Sequence, residues 1–338
     1  MQSATLDYND GTLVILSSET IDSTPTTRVD PSKIFISDAA GDFRISLRGA
    51  TVLQAADGMD KIVVTIRLTE AQRRGAIELS SFPGDTTGQG TAVVVDLRAD
   101  ALVDVATNGI DDQTGIPVTE TADTTKPTIT SATITYVDKH PPGRLLRVLC
   151  SETIDASGIT LANIFIVNAA GDNTANNKLV LQGASVVQTD DQPTFTVVLT
   201  ETQRVFALLL SNTPGGDDTD AIFLDFDADA VRDIATNQNL GVQGVSVQES
   251  ADTNPPKVIS ASLNLGNGYL SVVHSETVDA LPKENLKLSK VSLVQSAGDS
   301  LTGGTGAGTI ASAEIENLIG ATTINGESDT VVIHLTEA

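Results

Sequence analysis

Carboxylates and side-chain amides recur in this chain inside fixed phrases. Ser-Glu-Thr-Ile/Val-Asp occurs at residues 18–22, 151–155 and 275–279, and Asp-x-Ala-Thr-Asn at 104–108 and 233–237. A further Asp, 123 or 252, stands in each of two matching Pro-containing linkers. Hard oxygens of this kind are what Ca²⁺ takes, six to eight at a time. Taken in chain order they fall into two groups. Asp104, Asn108, Asp123, Glu152 and Asp155 surround the first linker, and Asp233, Asn237, Asp252, Glu276 and Asp279 surround the second. Gathering so many carboxylates costs repulsion, which a divalent cation would remove. Plainer roles stand beside this one. Glu19, Glu152 and Glu276 could accept hydrogen bonds from turn amides, Asp104 and Asp233 could form Asx turns, and Asp123 and Asp252 could be solvated linker acids. No EF-hand loop is present.

Other chemistry finds little support. His140, His274 and His334 occupy no equivalent positions in the repeated phrases, and they form no zinc motif. The run 303–308 is Gly-rich but lacks the Lys-Ser/Thr ending of a phosphate loop. Paired carboxylates could serve a glycosidase, but these acids recur in every repeat and aromatics make up only 3% of the chain. Cys150 reads as a small strand residue, because its sister positions hold Ser17 and His274. The chain therefore reads as a non-enzyme. Its 44 acidic and 20 basic residues give a net charge of −24, which disfavours nucleic acid and anionic membrane surfaces as partners. No apolar run is long enough to cross a bilayer.

The elements that carry these residues read as strands. Val, Ile, Thr and Leu alternate with period two at Thr12–Leu16, Lys61–Leu68, Leu145–Leu149, Thr194–Leu199, Ala221–Phe226 and Thr330–Leu335, bounded by Gly, Asp, Asn and Pro clusters. The span Lys178–Val187 and the short run Ala207–Leu210 read as strands as well. Helical periodicity is nearly absent. Thr69–Arg74, Thr200–Phe206, Asp100–Val105 and Asp229–Ile234 could each make a turn of helix. The phrases recur roughly every 130 residues, too long for a solenoid turn and suited to a whole domain. Three units follow: 1–125, 126–254 and 255–338, the last incomplete. Either the chain is a piece of a longer protein, the favoured reading, or a neighbouring molecule supplies the missing strands. Each complete unit holds seven or eight strands, the number of an immunoglobulin-like sandwich.

The ordered set of Asp-x-x-x-Pro, Ser-Glu-x-x-Asp, Asn/Asp-Ala-Ala-Gly-Asp and Asp-x-Ala-x-Asn resembles bacterial Ig-like and cadherin-like surface repeats, including those of cyanobacterial swimming-motility proteins. The resemblance implies an all-β fold of tandem Ig-like sandwiches, an extracellular or cell-surface location, and Ca²⁺ at the junctions. The chain departs from that pattern at Thr107 and Thr236, where Gly usually precedes the Asn. The expected function is a structural segment of a surface, stalk or filament protein whose partners are neighbouring repeats or copies of itself. The alternative is an adhesin that binds a surface glycan or protein through loops 83–90, 214–220 or 298–308.

Overall fold

The computed structural model describes residues 1–80, 91–137, 144–187, 189–213, 220–280, 285–287, 291–293, 308–309, 313–314 and 328–335. Eight strands make the first unit: β1 (Ser3–Asp7), β2 (Thr12–Ile21), β3 (Ile34–Ser37), β4 (Arg44–Ser46), β5 (Thr51–Leu53), β6 (Lys61–Arg67), β7 (Val94–Leu97) and β8 (Gln113–Thr121). They pair in the order β4-β3-β7-β8-β1-β2-β6-β5. All contacts are antiparallel except β1 with β8, which run parallel with Ala4 opposite Val118 and Asp7 opposite Thr121.

This order is that of an immunoglobulin sandwich. The layer β1-β2-β6-β5 matches strands A-B-E-D, and β8-β7-β3-β4 matches G-F-C-C′. Strand β8 joins the layers. Its first half pairs with β7, its second with β1. Alternation supplies the core: Leu6, Leu13, Ile15, Ile34, Ile36, Ile66, Val95 and Leu97 are buried between the layers.

The second unit repeats the plan with β9 (Ile129–Thr135), β10 (Leu145–Ile154), β11 (Ile164–Val167), β12 (Lys178–Val180), β13 (Ser185–Val186), β14 (Gln192–Val198), β15 (Phe223–Phe226) and β16 (Val242–Ser250), ordered β12-β11-β15-β16-β9-β10-β14-β13. Its core includes Tyr136, Phe195 and Phe226. The span 178–187 holds two strands instead of the one expected, because Gly183 turns the chain at φ +93°. The third unit shows β17 (Val258–Asn264), β18 (Tyr269–Val278), β21 (Ala313–Glu314) and β22 (Ser328–Leu335) in the A-B-E-D order, with a separate pair β19 (Ser292–Leu293) and β20 (Gly308–Thr309). Of the three loops considered for recognition, 83–90 lies outside the described residues, as do 214–219 and 298–307.

Two helices depart from the expectation. α1 (Glu70–Leu79) and α2 (Glu201–Leu209) each connect the sixth and seventh strands of their unit. Residues 207–210, expected as a strand, form the end of α2 and its cap. The cause is local. Thr69 Oγ1 accepts from the Gln72 amide while Gln72 Oε1 accepts from the Thr69 amide, and Thr200 and Gln203 do the same. Such a capping box nucleates a helix at its first turn. Gln72 Nε2 also donates to the carbonyls of Ser46 and Arg48, as Gln203 does to Val180 and Gln182. This fastens each helix start to the end of its C′ strand. The spans Asp100–Val105 and Asp229–Ile234 are turns instead, with Asp100 and Asp229 at φ +59° and +60°.

Candidate functional site: the junctions between units

Strand direction decides which residues meet. β1 runs from the leading to the trailing end of its unit and β2 returns, so Ser-Glu-Thr lies at the leading end. β6 runs forward again, which puts α1 at the trailing end with the linker. The first junction therefore joins α1 and Asp123 of unit one to Glu152 of unit two.

Its centre is Arg73, which sequence reading passed over. Nε donates to Glu70 Oε2 at 2.7 Å and one Nη2 hydrogen to Glu70 Oε1 at 2.9 Å. The other Nη2 hydrogen goes to Glu152 Oε2 at 2.9 Å. Nη1 donates to the Tyr8 carbonyl and to Asp123 Oδ2. All five guanidinium donors are thus used, and Arg73 is only 4% exposed. Arg204 repeats the arrangement on Glu201, the Tyr136 carbonyl, Asp252 and Glu276. Thr153 and Thr277 complete the pattern, donating their amides across the junction to Glu70 and Glu201 at 2.8 Å. Ile234 of unit two packs into the apolar cluster of unit one, and Arg74 donates to the Asp191 carbonyl. The signal was present in the sequence: Thr-Glu-x-Gln-Arg recurs at Thr69–Arg73 and Thr200–Arg204.

The structure regroups the expected ligands. Asp123 and Glu152 meet at the first junction, and Asp252 and Glu276 at the second, each pair on one guanidinium. Asp104 and Asn108 are not at the first junction. The place expected for them is held by Asp233 and Asn237, which had been assigned to the second; Asn237 Nδ2 donates to the Asp123 carbonyl at 3.1 Å. The reason is topological. Asp-x-Ala-Thr-Asn precedes the last strand, which runs the length of the unit toward the trailing end, so the turn stays at the leading end. There Asp104 bridges Ile21, and Asp233 bridges Ile154. Asp155 lies beside the first junction but caps a short 3₁₀ turn through Ser157, and Asp279 is exposed and accepts from Asn285.

Asp123, Glu152 and Asp233 are all buried, and each offers an oxygen within 4.8 Å of the others. Glu152 Oε1 is buried without a hydrogen-bond partner. With Glu70, three carboxylates thus bond one guanidinium, and Asp233 stands beside them. Burial raises Glu152 to about 8, Arg73 opposing and Asp123 and Asp233 adding. Burial likewise raises Asp233 to about 6, against the hydrogen bonds from Asn237. At Glu201 burial acts in the same direction, but Arg204 and Thr277 outweigh it and hold the carboxyl at about 2. The signs give a pH profile. Raised carboxyls stabilise the fold below their unfolded values, and that gain is lost as pH climbs through about 6 and 8; Glu201 stabilises above its unfolded value and is lost toward pH 2. Calorimetry should therefore place the highest melting temperature near pH 5, with a decline toward pH 8. A profile flat from 5 to 8 would mean that the carboxyl surplus is neutralised otherwise.

Thr107 and Thr236 sit in the left-handed region at φ +70° and +69°. The turn that glycine would favour is thus kept with a β-branched residue. Thr236→Gly should gain about 1 kcal/mol in urea unfolding.

The remaining candidates stay apart from this site. His140 lies outside the described residues, as does 303–307. His274 Nδ1 is 3.3 Å from the Asp329 carbonyl, and His334 stacks on Tyr269. Cys150 is buried in β10, where desolvation and Glu152 push its thiol up to about 12.

No helix among the described residues is long and apolar enough to cross a membrane. No family model matches the chain, and no curated protein matches it. Among solved structures it aligns with a marsupial T cell receptor at 12% identity and a TM-score of 0.18, over 99% of this chain and 92% of that one. It aligns with ICOS in complex with ICOS-L and an anti ICOS-L VNAR domain at 12% and 0.21, over 72% and 98%. A third alignment is with domains 1–6 of the surface layer protein SbsC, at 12% and 0.23, over 99% of this chain and 51% of that one.

Proposed function

We propose that the chain is a structural segment of an extracellular or cell-surface protein, with Ig-like units at 1–125, 126–254 and 255–338 held in fixed succession by their junctions. One observation carries this reading: a buried arginine from each of the first two units is saturated by carboxylates of its own unit, the linker and the next unit. A flexible string of beads has no use for such a contact. The partners are accordingly neighbouring repeats or further copies of the protein, in a stalk, filament or surface layer. Small-angle scattering tests this directly. An extended particle of narrow length distribution is expected, and a compact globule or a broad distribution would end the reading.

Ca²⁺ belongs to the same proposal. The trio Asp123, Glu152 and Asp233 is hard-oxygen chemistry, with one buried Glu152 oxygen still unpaired. Three carboxylates give about half of a Ca²⁺ shell, and water would complete it. At free Ca²⁺ about tenfold above the dissociation constant, binding adds about 1.4 kcal/mol. Melting at pH 8 should then fall by a few degrees on adding EGTA; superimposable curves would remove the ion and leave the arginine. The adhesin alternative rests on the loops named above, and glycan-array binding that vanished on loop deletion would favour it.

A further inference from the structure

The leading end of unit two is an occupied socket. Glu152 accepts from Arg73, the Thr153 amide donates to Glu70, the Asp191 carbonyl accepts from Arg74, and Asn237, held by Asp233, donates to the Asp123 carbonyl. The leading end of unit three shows the same use of Glu276 and Thr277 by Arg204 and Glu201. Unit one carries all five counterparts. Glu19 and Thr20 fill the Ser-Glu-Thr positions, and Asp104 and Asn108 fill the turn, with Asn108 bonded to Asp104 as Asn237 is to Asp233. Asp60 accepts from the Ser23 amide as Asp191 accepts from Ala156. The difference is exposure. Glu152, Glu276 and Asp233 are 7%, 4% and 0% exposed, whereas Glu19 and Asn108 are open to solvent and Asp104 is half-buried.

We infer that the leading face of unit one is a docking surface for the trailing end of another Ig-like unit, one bearing a Thr-Glu-x-Gln-Arg helix followed by a linker Asp. Two occupied copies of this interface in the same chain define the occupant's chemistry. It presents a guanidinium to Glu19 and a carboxylate to the Thr20 amide, as at both junctions, and its linker offers a carbonyl to Asn108, as at the first. The charge complementarity is the same as at both occupied junctions. This inference rests on the proposed role of the arginine junctions and extends it to a surface that the described chain leaves exposed.

The test lengthens the full chain by placing residues 126–257 ahead of Met1. Met1 then takes the place of Val258, since 1–7 and 258–264 align as first strands. Amide exchange at Thr20 should slow about tenfold or more. Arg204→Ala in the added unit alone should abolish the slowing. Thr277, unique and already docked on Glu201, is the internal control. Thr20 unchanged with Thr277 protected would overturn the inference while sparing the proposed function. Loss of protection at Thr277 in the unmodified chain would strike the proposed function itself. Folding of the added unit is read from Cys150, which stays closed to a thiol reagent in both copies. If it opens, residues 1–257 placed ahead of Met1 supply the same helix, and half of the Thr20 signal should slow; no slow half would equally overturn the inference.

Discussion

Arg73→Ala should cost about 3–5 kcal/mol of the coupling between units one and two, the loss seen when one partner of a buried ion pair is removed. The mutation deletes five donors and leaves Glu70, Asp123 and Glu152 facing one another with Asp233 alongside. The molecule can limit that loss by opening the junction to water. The expected signature is therefore specific: the Thr153 amide loses its protection, and the unfolding transitions of units one and two move further apart. Arg73→Lys keeps the charge but cannot reach three carboxylates and a carbonyl with a three-donor head, so it should fall between the two. A change under about 0.5 kcal/mol would make the contact no stronger than a surface ion pair.

Phe195→Ala should lower the melting of unit two by about 3–5 kcal/mol, which is roughly 10–20 °C for a unit of this size. Phe195 lies on β14 opposite Val148 of β10 and is 1% exposed, one of the largest buried side chains of that core beside Tyr136 and Phe226. Its loss leaves a hole that branched aliphatics cannot close without leaving their rotamers. Unit one should keep most of its own transition, because among the described residues its core cluster draws on unit two only through Ile234. Differential scanning calorimetry would show one peak moving and one nearly still. If both peaks moved together by the full amount, the two sandwiches would have to be counted as one cooperative body.

Much of the fold was legible because strands write themselves with period two. Lys61–Leu68 and Thr194–Leu199 match β6 and β14 to within two residues, and Thr12–Leu16 is the first half of β2. The helices were underread for a physical reason. Their first turn is set by a Thr/Gln capping box, which carries no hydrophobic period, and residues 207–210 of α2 look β-like until that start is recognised. The candidate site was half legible. Repetition of Ser-Glu-Thr and of the linker Asp brought Glu152 to Asp123 and Glu276 to Asp252. The assignment of Asp104 and Asn108 failed because closeness along the chain was taken for closeness in space. A nine-residue strand such as β8 carries the chain roughly 30 Å from that turn. The arginines were missed because the search was for anions with a cation between them, and the cation was a side chain.

The parallel pairing of β1 with β8, and of β9 with β16, bears on how such units would behave under tension. In each unit the first strand and the last lie side by side and point the same way, so a pull on the two ends of the unit slides one past the other. The hydrogen bonds Ala4–Asp7 makes with Val118–Thr121 would then be strained together, in shear, rather than opened one by one as a hairpin unzips. Glu120 on β8 receives the Tyr8 hydroxyl just beyond the end of β1, and Glu249 receives that of Tyr136, so each unit carries a side-chain latch beside the bonds that a stretching force would test first.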